Sequence, residues 1–369
     1  MTTETLPRPV AHPVFGHLGR WGKDPLDLLT EGAREGSVFE LRLWRRALVG
    51  YRPEWNRAVL GDLETFRSDG SLSGLTPYLA GGVVHADVPR HDERRRELNP
   101  HFASRALAAA ADTLREQTEL PQGRFEALAW AGRTVRRMLN TVLFAGRLPD
   151  RLLAAFLAPL DQPGPRALVP RPLLFRRIEG AIARVVTNVP EGSLPAALAG
   201  TDGLVEELRI ALAAGYDTTA HTLAWALWHL AGIAEWPAWT GVEPFIDEVL
   251  RLYPAGWLGS RVAAHDTMVT GVPIPAGTLV IYSPYLTHRE PDLWPDPDRF
   301  RPGRPRPAWG YLPFAAGRRT CLGTHLARLM LHTALSAFRV PSLTRVSGNP
   351  AARTGITLRP EGPLWMEYR

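Results

Sequence analysis

The chain has 369 residues, 45% of them hydrophobic and 22% charged, with a formal net charge of +6. That composition is globular, large enough to bury a core around a cofactor, and unlike a low-complexity or fibrous chain. One cysteine excludes an internal disulfide framework, and no apolar run is long enough to predict a transmembrane segment. The positive charge is almost all arginine, since Lys23 is the sole lysine, and the arginines are scattered rather than clustered. The tightest run is Arg94, Arg95 and Arg96, and there is no zinc-finger spacing, which argues against a nucleic-acid partner.

The first residues hold Pro and His but no hydrophobic signal core, so a cytoplasmic location is expected. Partial alternation over residues 38–49 predicts strand. His91 and Arg95, at i and i+4, place two cationic groups on one helix face. Two Pro-rich stretches, 163–172 and 295–307, read as irregular connections inside one domain spanning 1–369. The longest helical pattern runs over 201–230, with Thr201 or Asp202 as cap and Gly232 as stop. It is apolar on several sides, as expected of a helix that crosses a core. A shorter helix is predicted over 244–253, with Pro244 in its first turn and Pro254 ending it. Residues 268–281 read as short strands joined by Gly and Pro turns, and 322–331 as a further helix. The fold class is therefore mainly α with a minor β region built from separated pieces.

Chemistry concentrates in a few segments. The loop from Phe314 to Gly323 carries Gly317, Arg319 and Cys321 immediately before a helix. Glycine lets the backbone turn tightly and approach a flat group, and a helix N-terminus beside arginines favours thiolate over thiol. This loop resembles the cysteine loop of the cytochrome P450 family, Phe-x-x-Gly-x-Arg-x-Cys-x-Gly, and matches it at every fixed position. The resemblance implies that Cys321 ligates the iron of haem b (iron protoporphyrin IX), with Phe314, Gly317, Arg319 and Gly323 shaping the cofactor-binding loop. It implies the family fold, with haem between a long central distal helix and the proximal cysteine loop and helix.

Glu248-Val-Leu-Arg251 then resembles the family's structural Glu–Arg pair, whose third member is expected at Arg299. Ala214-Gly215-Tyr216-Asp217-Thr218-Thr219 resembles its oxygen-activation segment. That assigns Ala214 and Gly215 to the cofactor face and Asp217 and Thr218 to proton transfer. His91, Arg95 and Arg261 are the implied partners of the haem carboxylates, with Arg319. Family position suggests Leu72, Leu79, Tyr216, Trp257, Leu258 and Ile356 as pocket-lining residues. Two regions are lean for the family: the link over 231–242, and 148–189, which would roof the pocket.

The implied reaction inserts one oxygen atom of dioxygen into a hydrophobic small molecule: a fatty acid, a terpenoid or carotenoid, or a polyketide. One cysteine cannot build an iron–sulfur cluster, so electrons are expected from a ferredoxin or flavodoxin with its NAD(P)H-dependent reductase. Arg94, Arg96 and Arg328 are candidates for the face that meets such an acidic partner, and a monomer is expected. Three other readings stand beside this one. They are a peroxide-driven peroxygenase on the same scaffold, a non-catalytic haem sensor or carrier, and a zinc protein using Cys321 and His325, which lacks the usual three or four ligands.

Overall fold

The structure is a computed structural model that describes residues 6–162, 165–188, 190, 193–233 and 241–369. Most of the lean link expected over 231–242 therefore lies outside the described residues, as does part of 148–189. The chain divides into two compact units, each discontinuous in sequence.

The first unit comprises Met1–Leu75, Gly256–Phe300 and Pro305–Cys321. Its five-stranded sheet runs in the order Val38–Arg42, Arg46–Gly50, Leu279–Tyr282, Gly259–Ala263, Phe66–Arg67. The first two strands form a hairpin with Phe39 opposite Val49. The second pairs in parallel with a strand more than 200 residues away, Ala47 opposite Leu279. The expected sheet of separated pieces is thus present. Leu48, Trp55, Val59, Leu60, Phe66, Val280 and Leu312 pack beneath it as one apolar cluster. Trp55 is fully buried and its indole N–H donates to the carbonyl of Ile281 at 3.0 Å. Position 50 must be glycine, because a Cβ there would lie 2.3 Å from the Trp55 ring. Thr267–Val269 and Val272–Ile274 form a small hairpin, whose turn residues Thr270 and Gly271 both have positive φ.

The second unit comprises Thr76–Ala255, Arg301–Arg304 and Leu322–Arg369 and holds most of the helix. Its axis is the helix Leu204–Leu230, 27 residues and about 40 Å long. It packs most extensively on Ala127–Phe144 and also on Pro172–Val186 and Thr324–Ser336. The helix begins at Leu204, three residues later than expected. Gly203, at φ 65°, is the N-cap, and no side chain of Thr201 or Asp202 caps it. The first-turn carboxylates reach outward instead. Glu207 accepts from the amide of Val83 at 2.9 Å and Glu206 from that of Gly82 at 3.2 Å. Arg209 is buried and donates to the carbonyls of Pro77, Tyr78 and Ala80 while pairing with Glu179 at 2.9 Å. One turn and a half of helix therefore holds the segment 77–83 in place. Gly123–Glu126, Trp365–Tyr368 and Leu343–Ser347 form a three-stranded antiparallel sheet, and Ala352–Thr354 pairs with Leu358–Pro360 in a hairpin.

Val242–Leu252 is amphipathic, with Pro244 in its first turn and Tyr253 as C-cap ahead of Pro254. It carries the buried hub of this unit. Arg251 donates to both oxygens of Glu248, at 2.8 and 2.9 Å. Glu248 also accepts from Arg304 Nε at 3.1 Å and from the backbone N–H of Arg301 at 2.8 Å. The three side chains are 2%, 1% and 3% exposed for Glu248, Arg251 and Arg304. This corrects the expectation at Arg299: the third member is Arg304, and Arg299 is exposed. The chain turns through Pro302 and Gly303, which brings Arg304 rather than Arg299 back to the carboxylate. Among the described residues no helix is long and apolar enough to cross a membrane.

Removing one partner from a buried ion pair strands the other charge, at a cost of about 3–5 kcal/mol, whereas an exposed arginine contributes less than about 1 kcal/mol. Arg304→Ala should therefore lower unfolding free energy by about 3–5 kcal/mol in urea denaturation, and Arg299→Ala by under about 1 kcal/mol. Equal losses from the two variants would contradict the assignment.

Candidate active site

In the first unit, the Phe314–Cys321 loop is closed by its own backbone. The Cys321 N–H donates to the Phe314 carbonyl at 2.8 Å, and the Thr320 N–H donates to that of Gly317 at 3.1 Å. Gly317 has φ 67°, and a Cβ there would meet the Leu60 carbonyl at 3.1 Å and the Trp309 ring at 3.2 Å. Upstream, the Leu312 N–H donates to the buried His288 ring at 2.7 Å, and His288 stacks on Tyr311. The result is a rigid loop with an exposed Cys321, two residues ahead of Gly323, the N-cap of Thr324–Ser336. Arg261 lies on the sheet strand Gly259–Ala263 and is buried. Its Nη1 donates to the Ser260 carbonyl, but its Nε is buried with no hydrogen-bond partner among the described residues. Leu72 and Leu258 are half-buried. Trp257 is buried with its ring against Trp21, so it belongs to the core rather than to a pocket wall.

In the second unit, His91 and Arg95 lie one turn apart on Arg90–Phe102; His91 is buried, with Nδ1 2.9 Å from Asp92, and Arg95 is half-buried. Nearby in sequence, His85 Nε2 is buried without a hydrogen-bond partner among the described residues. Arg94, expected on a docking face, is instead buried. It pairs with Glu207 at 3.4 Å and donates to the Asp202 carbonyl. Arg328 is likewise committed, to Glu243 at 3.0 Å and to Asp247, and only Arg96 of the three is exposed.

The long helix is buried on most sides, yet Ala211, Ala214, Gly215 and Thr218 form a half-buried stripe at i, i+3, i+4 and i+7. Gly215 admits the Leu139 side chain of Ala127–Phe144, which a Cβ there would meet at 3.0 Å. Thr218 donates its hydroxyl to the Ala214 carbonyl at 2.7 Å. Asp217, about 100° around the helix, faces elsewhere: it is 4% exposed and its Oδ2 accepts from the Thr357 hydroxyl at 2.7 Å. Thr357 is also 2.9 Å from His221 Nδ1, which is 3.5 Å from Asp217 Oδ1. Asp217 and Thr218 are thus neighbours in sequence with different surroundings. Tyr216 is buried and donates to Asp161 at 2.8 Å, against Gly132 of Ala127–Phe144. It is a packing residue, not the pocket residue expected, because the helix turns it onto its neighbour. Ile356 does line a small cavity, together with Asp217, His221, Thr357 and Arg359, while Leu79 is half-buried.

Residues 242–363 match the family model for cytochrome P450. Cyclooctatin synthase of Streptomyces melanosporofaciens is 26% identical over 96% of this chain and 93% of its own length. Pentalenene oxygenase of Streptomyces avermitilis is 25% identical over 90% of each. The structure of retinoic acid-bound cyanobacterial CYP120A1 superposes with a TM-score of 0.80 at 22% identity, over 99% of this chain and 100% of that one. A 6-coordinated cytochrome P450 of Thermus thermophilus gives 0.76 at 23% identity, over 94% and 99%. The chain belongs to the cytochrome P450 family. It is an oxidoreductase of the P450 monooxygenase class, which uses a haem-thiolate cofactor. The alignment to cyclooctatin synthase spans 438 positions, more than the 369 residues here, so that relative carries insertions and this P450 is compact.

Within the first unit the residues fit such a cofactor: an exposed thiol on a rigid loop, and a buried Arg261 whose Nε has no hydrogen-bond partner among the described residues. Sequence reasoning missed Arg304, His85, His221 and Thr357. Gly303 before Arg304 signalled a turn there. His221, at i+4 from Asp217, was visible as a helical neighbour.

Burial raises the Asp217 carboxyl to about 7, opposed by the Thr357 hydrogen bond. Burial lowers the His221 imidazole to about 3, helped by the charge of Arg359. The folded carboxyl thus keeps a proton that the unfolded chain releases, so raising pH from the usual carboxylate range toward 7 favours unfolding. The imidazole stays neutral where the unfolded chain takes up a proton, so lowering pH from 6.5 toward 3 also favours unfolding. Over their common range the two slopes oppose each other. Asp217→Asn removes the first alone. Its stability should fall more steeply than the parent's as pH drops from about 6.5 to 4.5, by up to about 1.4 kcal/mol per unit. Urea titrations at stepped pH read this, and parallel curves would refute the raised Asp217 value.

Proposed function

We propose that this P450 oxidises a hydrophobic terpenoid, with Cys321 as haem ligand and electrons from an external ferredoxin or flavodoxin and its NAD(P)H-dependent reductase. The observation that carries the reading is the Cys321 loop, whose only cysteine is held rigidly by the Phe314 carbonyl with its thiol exposed. The same loop contributes Phe314, Gly317, Arg319 and Gly323 around haem b. Arg261, whose buried Nε has no hydrogen-bond partner among the described residues, would meet a haem carboxylate, and His91 and Arg95 are the further candidates that the family resemblance names. Ala214 keeps its part of the stripe small, Gly215 gives room to Leu139, and His85 is a further candidate donor.

When bound, haem with a thiolate ligand supplies dioxygen activation, with the thiolate's electron density favouring O–O cleavage. The chain's own work is to position, exclude water and move protons. Thr218 holds a hydroxyl on the half-buried stripe, and Asp217 stores a proton near neutral pH out of contact with solvent. Leu72 and Leu258 in the first unit, and Leu79 and Ile356 in the second, are the candidates for apolar substrate lining that the family resemblance names. The terpenoid class is supported by the names of the relatives, cyclooctatin synthase and pentalenene oxygenase among them. Asp217 and Thr218 favour monooxygenase over peroxygenase or carrier, neither of which needs a proton store.

The reduced protein with carbon monoxide should show the absorption of thiolate ligation, and Cys321→His should lose it. A wild-type spectrum of histidine ligation would sink the assignment. Thr218→Ala should keep that spectrum but divert reducing equivalents to peroxide, lowering product per electron by about 10-fold or more. Product per electron equal to wild type would remove Thr218 from proton transfer. A cyclic terpene should perturb the haem absorption at lower concentration than a fatty acid of similar carbon number; the reverse order would exclude the terpenoid class.

A further inference from the structure

Beside Asp217 lies a cavity with room for about one water molecule. Asp217, His221, Thr357, Arg359 and Gln162 line it, and Gln162 is exposed. His221 is 1% exposed, and its Nε2 has no hydrogen-bond partner among the described residues. Asp217 Oδ1 has none either. Between these two open ends runs a continuous chain: His221 Nδ1 to Thr357 Oγ1 at 2.9 Å, and Thr357 Oγ1 to Asp217 Oδ2 at 2.7 Å.

We propose that His221 and Thr357 form a relay that takes protons from this cavity and delivers them to Asp217. This rests on the monooxygenase reading and names the protons' route of entry. A threonine hydroxyl has one hydrogen, so it donates to one neighbour and accepts from the other. With Asp217 ionised, His221 Nδ1–H donates to Thr357 and Thr357 donates to Asp217. A proton arriving from cavity water at His221 Nε2 releases the Nδ1 proton to Thr357 Oγ1. The hydroxyl's own proton then passes to Asp217 Oδ2. The chain ends with reversed polarity, one proton taken from water and one held on the carboxyl. Rotation of the Thr357 hydroxyl and return of the imidazole to its Nδ1–H tautomer by proton exchange restore the starting state. Because Oδ1 has no hydrogen-bond partner among the described residues, the protonated carboxyl gives up its bond to Thr357 and the 3.5 Å contact with His221 when it turns toward Thr218.

The surrounding charges favour this traffic. Asp161 and Arg359 face the cluster from the neighbouring loop and strand, with Arg136 acting on Asp161 from Ala127–Phe144. Arg359 donates to the Asp161 carbonyl at 2.6 Å, and burial, helped by the Arg359 charge, keeps His221 neutral and therefore able to accept. Thr357 and His221 are positioning and conducting residues; they act through Asp217.

The test uses the holoenzyme with Thr357→Val, Thr357→Ser, His221→Gln and Asp217→Asn, each first shown to keep the thiolate–carbon monoxide spectrum. Infrared spectra with isotope-labelled aspartate read the Asp217 carboxyl directly. Thr357→Val should move its band by removing the donor, and Thr357→Ser should leave it in place. Product per electron should fall about 10-fold in Thr357→Val and His221→Gln, with a larger solvent isotope effect, and recover in Thr357→Ser. Wild-type product ratios and isotope effects in Thr357→Val and His221→Gln would overturn the relay. So would equal losses in the Val and Ser variants with an unmoved band, which mark a packing role. Wild-type behaviour of Asp217→Asn would overturn the role of Asp217 itself, and absence of the thiolate spectrum in the parent protein would overturn the monooxygenase reading.

Discussion

A single carboxylate organises the second unit. Glu248 accepts from Arg251, from Arg304 and from the Arg301 backbone, and all three side chains are sealed from solvent. Such a cluster is weak evidence for net stability, since desolvation offsets much of the attraction. Its value is directional. Four donors converge only when Val242–Leu252 and residues 301–304 are both in place. The chain that leaves Arg304 then runs directly into the segment ending at Cys321. A buried network with every partner satisfied specifies one arrangement where apolar packing tolerates several.

The long helix solves a different problem. It has to be a core element and a reactive surface at once. Leu208, Leu212, Leu223, Trp225 and Leu227 bury the helix, while Ala211, Ala214, Gly215 and Thr218 form one half-buried strip. Consecutive residues then serve opposite faces. Thr218 belongs to the strip, and Asp217 to the buried cluster with His221 and Thr357. The 100° step of the helix separates a store for a proton from the place where a hydroxyl is available.

Local grammar made the larger elements legible: 3.6-residue periodicity for the long helix, Pro244 and Pro254 for its shorter neighbour, Gly turns for the strands near 268–281. The cysteine loop was legible because its glycine and arginine spacing is stringent. What failed were choices between near neighbours. Arg299 and Arg304 are both arginines in a Pro-rich stretch, and only the turn at Pro302–Gly303 decides which one returns to Glu248. Tyr216 and Trp257 are large and apolar, and composition does not say whether such a ring faces a cavity or a packed helix. Arg94 reads as a surface charge until Glu207, more than 100 residues on, is brought beside it. Thr357 was invisible for the same reason: its meaning depends on Asp217, 140 residues away.

Thr357 sits at the tip of the hairpin between Ala352–Thr354 and Leu358–Pro360, next to Ile356. Both residues belong to the bend that joins the two strands and line the same small cavity, so a one-residue change in tip length would displace them together. This couples properties usually treated as separate. Any redesign or natural drift that reshapes the apolar tip at Ile356 by insertion or deletion also moves the hydroxyl that bonds Asp217. Changes confined to side-chain size at Ile356 leave that hydroxyl alone. Diversification of the pocket in this compact P450 is therefore channelled toward substitution at fixed loop length.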